Sequence, residues 1–412
     1  MSPEEDSMSK RIKFFIIAVI YTLTSFSIFS VQASKVTYSK TLEQIYKSKD
    51  VYTDTQKRLS EFSRNYSNIT YLFSSGKSVQ KRELSVLKIG NGSKKIFINA
   101  AHHPREYIGT ILTLNQIQNL LEAYANNGTI DGQKVRNLLD NQVTFYFMPL
   151  VNPDGVQICV NGSPSYYFNA NKVDLNHNYD ALWFKKITST YSTGTKAFSE
   201  PETQAVRDLC LIIEFDLTIA YHAAGDIIYW YFGQEGTDRT RDLAYANMLK
   251  ATTGYSLVSP SNYKSSTSGF KDWCVQKLKI PSFTLEVGGK RGISKPVEWS
   301  YYNTIWNQNK FVPVRIAKQL MKQTKFNGDK KTALIYKNSL FRQGQIISVD
   351  GKQYISEKDV PVLAGKLSEI QLEKLEETKI INEIPYVSLD TLSECLNLKF
   401  RFEKTTNTAY IY

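Results

Sequence analysis

The stretch Ile96-Phe97-Ile98-Asn99-Ala100-Ala101-His102-His103-Pro104-Arg105-Glu106 constrains this chain more than any other, because an apolar run of strand character leads straight into a His-x-x-Glu. An imidazole and a carboxylate three residues apart suit Zn²⁺, which takes His nitrogen and carboxylate oxygen at about 2.0 to 2.2 Å and keeps an open position where the site is catalytic. A third ligand has to come from elsewhere in the chain. There are four histidines. Of the two outside this stretch, His177 and His222, the second is better placed, since it too ends a strand-like run, Asp216 to Tyr221. A His-x-x-Glu alone is common, so its meaning depends on its surroundings.

Those surroundings are ordered blocks: Asn152-Pro153-Asp154-Gly155, then Asp174-Leu175-Asn176-His177-Asn178, then His222, then Pro281-Ser282-Phe283-Thr284-Leu285-Glu286-Val287-Gly288. With His103 and Glu106 they resemble the zinc metallocarboxypeptidase family over roughly residues 50 to 325. Around Gly269 to Trp273 and Glu286 to Gly288 the chain is similar to a bacterial branch, the gamma-D-glutamyl-meso-diaminopimelate peptidases. The resemblance implies an α/β fold with a mixed eight-stranded sheet and helices on both faces. It implies one Zn²⁺ held by His103, Glu106 and His222, and Glu286 as the general base. Partial desolvation at the end of a buried strand suits a carboxylate to take a proton and return it. Asp174 would fix the tautomer of His103, as metal-bound imidazoles require. His102, one residue along a strand, would point to the opposite face and be structural.

Substrate contacts follow from the same resemblance. Arg105 matches a substrate-binding arginine, Tyr263 a tyrosine that covers the substrate, and Lys271 the base of the pocket for the side chain after the cleaved bond, where an ammonium would select a carboxylate. Two positions depart from the family pattern. Where the family has an Asn-Arg pair that clamps a terminal carboxylate, this chain has Asn176-His177, and a neutral imidazole does not replace a guanidinium fork. The carbonyl-polarising arginine is matched only by Asn169, after Phe168, which would supply a hydrogen bond without charge.

Residues 10 to 33 read as a secretory signal: Lys10-Arg11-Ile12-Lys13, an apolar stretch from Phe14, then Val31-Gln32-Ala33. Export to the medium or the cell wall is the expectation, with no stable membrane insertion after cleavage. The first 33 residues add nothing to the net charge of +12, since Lys10, Arg11 and Lys13 offset Glu4, Glu5 and Asp6. The mature surface is therefore basic and suits anionic wall polymers. No nucleic-acid signature accompanies it. The four cysteines are too few for a disulfide scaffold, and Cys210 and Cys274 read as buried apolar residues.

The polar run Asn327 to Lys331 divides a catalytic segment, 34–326, from a C-terminal segment, 332–412, of short β runs with a helix from Leu367 to Glu377. This last part resembles the small α+β accessory domain named after the N-terminal domain of copper amine oxidases, and reads as a separate module whose deletion leaves hydrolysis intact. Within the catalytic segment, helices are expected at Val51–Tyr66, from Gly109, from Pro201 with Ser199 as N-cap, and over Tyr302–Gln323 despite Pro313. The reading is a secreted zinc peptidase that uses an activated water and the Glu286 base on peptidoglycan stem peptides. The competing readings are a metallocarboxypeptidase preferring acidic C-terminal residues and a wall-binding protein whose catalysis has decayed.

Overall fold

The computed structural model describes residues 36–260, 269–289 and 292–322, together with the segments named below between 332 and 411. The signal segment, Tyr263, the 327–331 run and the 367–377 helix lie outside the described residues. The elements run α1 (Leu42–Tyr46), α2 (Val51–Asn65), β1 (Thr70–Lys77), β2 (Glu83–Ile89), β3 (Lys94–Ala100), α3 (Ile108–Ala125), β4 (Val143–Met148), α4 (Pro153–Val160) and α5 (Pro201–Ile213). They continue as β5 (Leu217–Ala223), β6 (Ile227–Tyr229), α6 (Gly236–Thr253), β7 (Ser256–Leu257), β8 (Ser282–Val287), α7 (Tyr302–Asn309) and α8 (Val312–Met321). Among these described helices none is long and apolar enough to cross a membrane.

The eight strands lie in the order β1-β2-β4-β3-β5-β8-β6-β7. The central four, β4-β3-β5-β8, are parallel, and antiparallel pairs flank them. This is the mixed eight-stranded α/β sheet expected. Every residue of β4 and β5 is buried, which is why they read as continuous apolar runs rather than alternating ones: both faces are covered by helices. Helix α3 lies close on one face because Gly109 carries no Cβ, and a Cβ there would sit 3.2 Å from the Cβ of Ala100 and 3.3 Å from that of Tyr221. On the other face α5 and the turn after Gly269 cover Phe97, Tyr146 and Ala220.

Two local expectations are corrected. The helix foreseen over Tyr302–Gln323 is two, α7 and α8, parted at Lys310-Phe311. Pro313 has no N–H to give the carbonyl of Asn309, so it sits in the first turn of a new helix, where none is needed. Gln116 of α3 donates to that Asn309 carbonyl instead, at 3.0 Å. At α5 the N-cap position is Glu200 rather than Ser199; the Ser199 hydroxyl donates to the Glu200 carboxylate at 2.7 Å and does not cap the helix.

After residue 332 the chain adds β9 (Thr332–Tyr336), β10 (Ser339–Gly344), β11 (Ile346–Val349), β12 (Lys352–Ser356), β13 (Thr378–Ile381), β14 (Ile384–Ser388), α9 (Leu389–Leu396), β15 (Phe400–Glu403) and β16 (Thr408–Ile411). Strands β11-β12-β14-β13 make a small sheet of their own. The other four continue the large sheet beyond β1 in the order β10-β9-β16-β15, with Ser339 of β10 bridging Ser74 of β1. The junction is packed as well as paired. Tyr410 is fully buried, lies edge-on to Tyr71 at 4.3 Å and belongs to the same core cluster as Phe73 and Tyr146. Lys88 of β2, itself buried, forms an ion pair with Glu403, whose carboxylate also accepts the Thr406 hydroxyl at 2.6 Å and the Tyr410 hydroxyl at 3.2 Å. Burial outweighs the Glu403 charge and lowers the Lys88 ammonium to about 8.

These contacts change what truncation should do. Removing one partner of a buried ion pair costs about 3 to 5 kcal/mol, a large fraction of the roughly 5 to 15 kcal/mol that holds a domain folded. A chain ended at Lys331 is expected to unfold about 10 °C below the full chain in thermal denaturation. An unchanged midpoint would show that the sheet does not depend on its last four strands.

Candidate metal centre

β3 stops at Ala100, and Ala101, with φ 61°, turns the chain out of the sheet into a single 3₁₀ turn, Pro104–Glu106. Strand alternation ends there. His102 therefore does not go to the opposite face, as a continued strand would have required. Its ring stacks on that of His222 at 5.5 Å and, tilted by 30°, on that of Phe270 at 5.8 Å, with Nε2 2.8 Å from the Tyr179 hydroxyl. Burial and the neighbouring imidazoles push it far below the ordinary histidine range, so it is a neutral packing residue, as expected of it.

The 3₁₀ turn brings His103 and Glu106 together, and β5, parallel to β3, delivers His222 beside them. His103 Nδ1 is 2.9 Å from one Glu106 oxygen, His222 Nδ1 is 2.9 Å from the other, and the two Nδ1 atoms are 3.2 Å apart. Donors of a tetrahedral zinc at about 2.05 Å stand roughly 3.3 Å from one another, so the spacing is that of a zinc ligand set. The hydrogen bonding supports this fit. Asp174 lies 3.2 Å from His103 Nε2; a carboxylate there accepts a hydrogen bond from Nε2–H, which turns the Nδ1 lone pair inward, toward a carboxylate and a second imidazole. Three electron-pair donors facing one another in a buried space call for a cation between them.

Without a metal, a proton supplies that charge. Burial disfavours a charged His103, but Glu106 and Asp174 outweigh it and hold the imidazole up at about 10. Burial likewise opposes ionisation of Glu106, and the facing imidazoles bring it down to about 2. Asp174, although buried, is kept well below the carboxylate range by His177 and His103. Zinc must therefore displace the His103 proton throughout the range below about pH 10. Raising the pH removes this competitor, so apparent zinc affinity should rise about tenfold per unit between pH 6 and 8, with about one proton released per zinc. Calorimetric titrations in buffers of differing ionisation enthalpy would check both; a pH-independent affinity would contradict the protonated His103.

Glu286 lies opposite His222 in the parallel pairing of β8 with β5, which sends both side chains to the same face of the sheet. It is half-buried. Asp174 spans His103 and His177, its second oxygen 2.9 Å from His177 Nδ1. His177 is thus held in a short turn, Leu175–His177, beside the metal ligands. Asn176 accepts the Phe270 N–H at 3.1 Å and ties that turn to the 269–273 segment. There Lys271 is almost fully buried, donates to the Tyr231 carbonyl at 3.0 Å and pairs with Asp272. Arg105 lies over the ring of Tyr167 at 4.5 Å, and its Nε is buried with no partner among the described residues.

Asn169 is not where a carbonyl polariser has to be. It is fully buried, gives its amide hydrogens to Glu200 at 2.8 Å and Glu202 at 3.1 Å, and accepts from the Asn171 and Val173 N–H groups. With both amide hydrogens committed, it braces the carboxylates at the start of α5. The sequence reading missed Tyr167, whose ring stacks on His103 at 3.9 Å, and Tyr191, 6.1 Å from the His177 ring. The run Tyr166-Tyr167-Phe168 just ahead of the Asp-x-Asn block was the available signal for the first. Nothing in the sequence placed Tyr191.

Comparison with known proteins agrees with this geometry. A family model described as zinc carboxypeptidase matches residues 55–313. Gamma-D-glutamyl-L-diamino acid endopeptidase 1 of Lysinibacillus sphaericus is 30% identical over 260 residues, 57% of this chain and 63% of its own length. Mouse carboxypeptidase M is 28% identical over 273 residues, 61% of this chain and 55% of its own. The chain thus spans under two thirds of the length of either relative. The structure of bovine thrombin-activatable fibrinolysis inhibitor in complex with tick carboxypeptidase inhibitor superimposes with a TM-score of 0.57 at 22% identity, covering 68% of this chain and 99% of that one, a likeness of fold. The family match extends over well more than half of the chain and takes in His103, Glu106, Asp174, His222 and Glu286, and the chain belongs to the zinc carboxypeptidase family.

Proposed function

We propose that this protein is a secreted zinc metallopeptidase that cuts peptidoglycan stem peptides at the gamma-D-glutamyl to meso-diaminopimelate bond. The observation that carries the reading is the combination of His177, where a carboxypeptidase needs a guanidinium fork, with a buried Lys271 on the segment that Asn176 ties to the His177 turn. An imidazole tied to Asp174 gives no bidentate clamp for a terminal carboxylate, which favours cleavage inside a chain. Of the three N–H donors of Lys271, two meet Tyr231 and Asp272, and the third suits the extra carboxylate of a diamino acid. The relative named as a gamma-D-glutamyl-L-diamino acid endopeptidase lends support.

His103, Glu106 and His222 would hold the zinc. When bound, it lowers the pKa of water toward about 7 and polarises the carbonyl under attack. Glu286 takes the proton that the attacking water gives up as its oxygen bonds to the carbonyl carbon. It returns that proton to the amide nitrogen as the carbon–nitrogen bond breaks, so one carboxylate serves both half-steps. Arg105, with an unpartnered buried N–H, positions the acyl side of the substrate. His177 and Asn176 line the other side.

Lys271 tests the reading. Asp272 beside it offsets part of its charge, so the loss on replacement belongs at the lower end of what a charge-assisted hydrogen bond contributes, about tenfold in kcat/KM. Lys271→Met also strands Asp272, a buried carboxyl whose pKa burial already raises; the double change Lys271→Met with Asp272→Asn avoids that. The expected result is a tenfold loss on a diaminopimelate stem peptide and little change on its lysine counterpart. Equal losses on both would make Lys271 a structural residue.

A further inference from the structure

A cleft of about 570 Å³ opens beside the metal centre between the 163–172 segment and the 187–192 turn. Its size is in the range of small-ligand sites, about 300 to 1,000 Å³. Tyr167 joins it to the centre, being part of its lining and stacked on His103. The aromatic part of the lining is a connected group, with Phe168 6.0 Å from Tyr166 and 6.2 Å from Tyr191. Around it stand hydroxyls of Ser163, Ser165 and the 188–192 turn, an exposed ammonium in the lining, Lys172, and a second, Lys186, over the Tyr191 ring at 5.3 Å. Among the described residues no carboxylate lines it and none of residues 269–272 does either, so its lining is distinct from the surroundings of Lys271.

We propose that this cleft is a glycan subsite, which seats an N-acetylated sugar attached to the stem peptide. The proposal rests on the wall-substrate reading above. Aromatic faces combined with many hydroxyls and no acid suit a ring that is apolar on its faces and polar at its edge. They suit an acidic polymer less, since Lys172 and Lys186 are both exposed, where solvent and salt weaken their charge. Reach agrees as well. In a stem peptide two residues separate the sugar from the gamma-D-glutamyl bond, about 7 Å of extended chain or slightly more, and the cleft starts at a ring 3.9 Å from a metal-ligand imidazole. Arg105, which positions the acyl side, lies over the Tyr167 ring at 4.5 Å, so the sugar belongs on the side before the cleaved bond, with Tyr191 at the boundary, 6.1 Å from the His177 ring.

Two measurements decide the matter. The first is the ratio of kcat/KM for a disaccharide-bearing muropeptide to that for the same peptide without sugar; about tenfold is expected. The second is titration of Glu286→Gln protein with chitotetraose, a neutral N-acetylated oligosaccharide, followed by tyrosine fluorescence or calorimetry. Ser189→Trp, which sets an indole on the exposed turn over the cleft, should bring the ratio toward one and abolish saturable oligosaccharide binding. A wild-type ratio near one with no saturable binding overturns the subsite, as does binding of an acidic wall polymer without binding of chitotetraose. If neither peptide form is cut, the wall-substrate reading fails, and the chitotetraose titration still decides the cleft: saturable binding lost in Ser189→Trp supports it, and none overturns it.

Discussion

Glu286→Gln protein is expected to hold zinc as tightly as the wild type and to turn substrate over about a hundredfold to ten-thousandfold more slowly. The substitution keeps the side chain's size and its place opposite His222 on β8 but leaves no group to accept the water's proton or deliver it to the leaving nitrogen. Because this proton transfer takes place in the transition state, the loss should fall on kcat and kcat/KM alike, with KM little altered. Metal analysis and steady-state kinetics on one preparation check both halves. Near-normal turnover would remove Glu286 from the mechanism, and lost zinc would make it part of the metal site.

His222→Ala should have the opposite signature, a loss of zinc from which the loss of activity follows. Its Nδ1 is one of three donors, and no other described histidine nitrogen, cysteine or carboxylate completes the cluster. Affinity is expected to fall more than a hundredfold, beyond the roughly tenfold to hundredfold that removal of an outer partner such as Asp174 would cause. His102→Asn is the control: it changes a ring stacked on His222 and bonded to Tyr179 but removes no donor, so zinc should remain. Undiminished zinc in His222→Ala protein would mean that the third ligand is misassigned.

The metal centre was legible because its ligands sit where strands end, and strand ends show in the sequence as apolar runs that stop. Ile96 to Ala100 and Leu217 to Tyr221 mark two neighbouring strands, and a parallel pairing of them brings His103 and His222 together. Side-chain direction beyond a strand end was not legible. The left-handed turn at Ala101 cancels the alternation that would have sent His102 away. Asn169 illustrates a second limit. Its place in the chain suggested a hydrogen-bond donor for substrate, but what it bonds depends on Glu200 and Glu202, some thirty residues onward. The attachment of the last strands was hidden for a similar reason. A change of composition after residue 326 shows where the chain alters character, not whether Tyr410 and Glu403 return to pack on β1 and β2.

The most direct test of the account is mass spectrometry of zinc-loaded protein incubated with the stem peptide L-alanyl-gamma-D-glutamyl-meso-diaminopimelyl-D-alanine, alongside peptides with acidic C-terminal residues. The account predicts that the stem peptide is cut once, to alanyl-glutamate and a fragment bearing intact diaminopimelate, that a chelator abolishes the cut, and that the acidic peptides keep their last residue. Release of single C-terminal residues from the acidic peptides, with the gamma-D-glutamyl bond untouched, would contradict it.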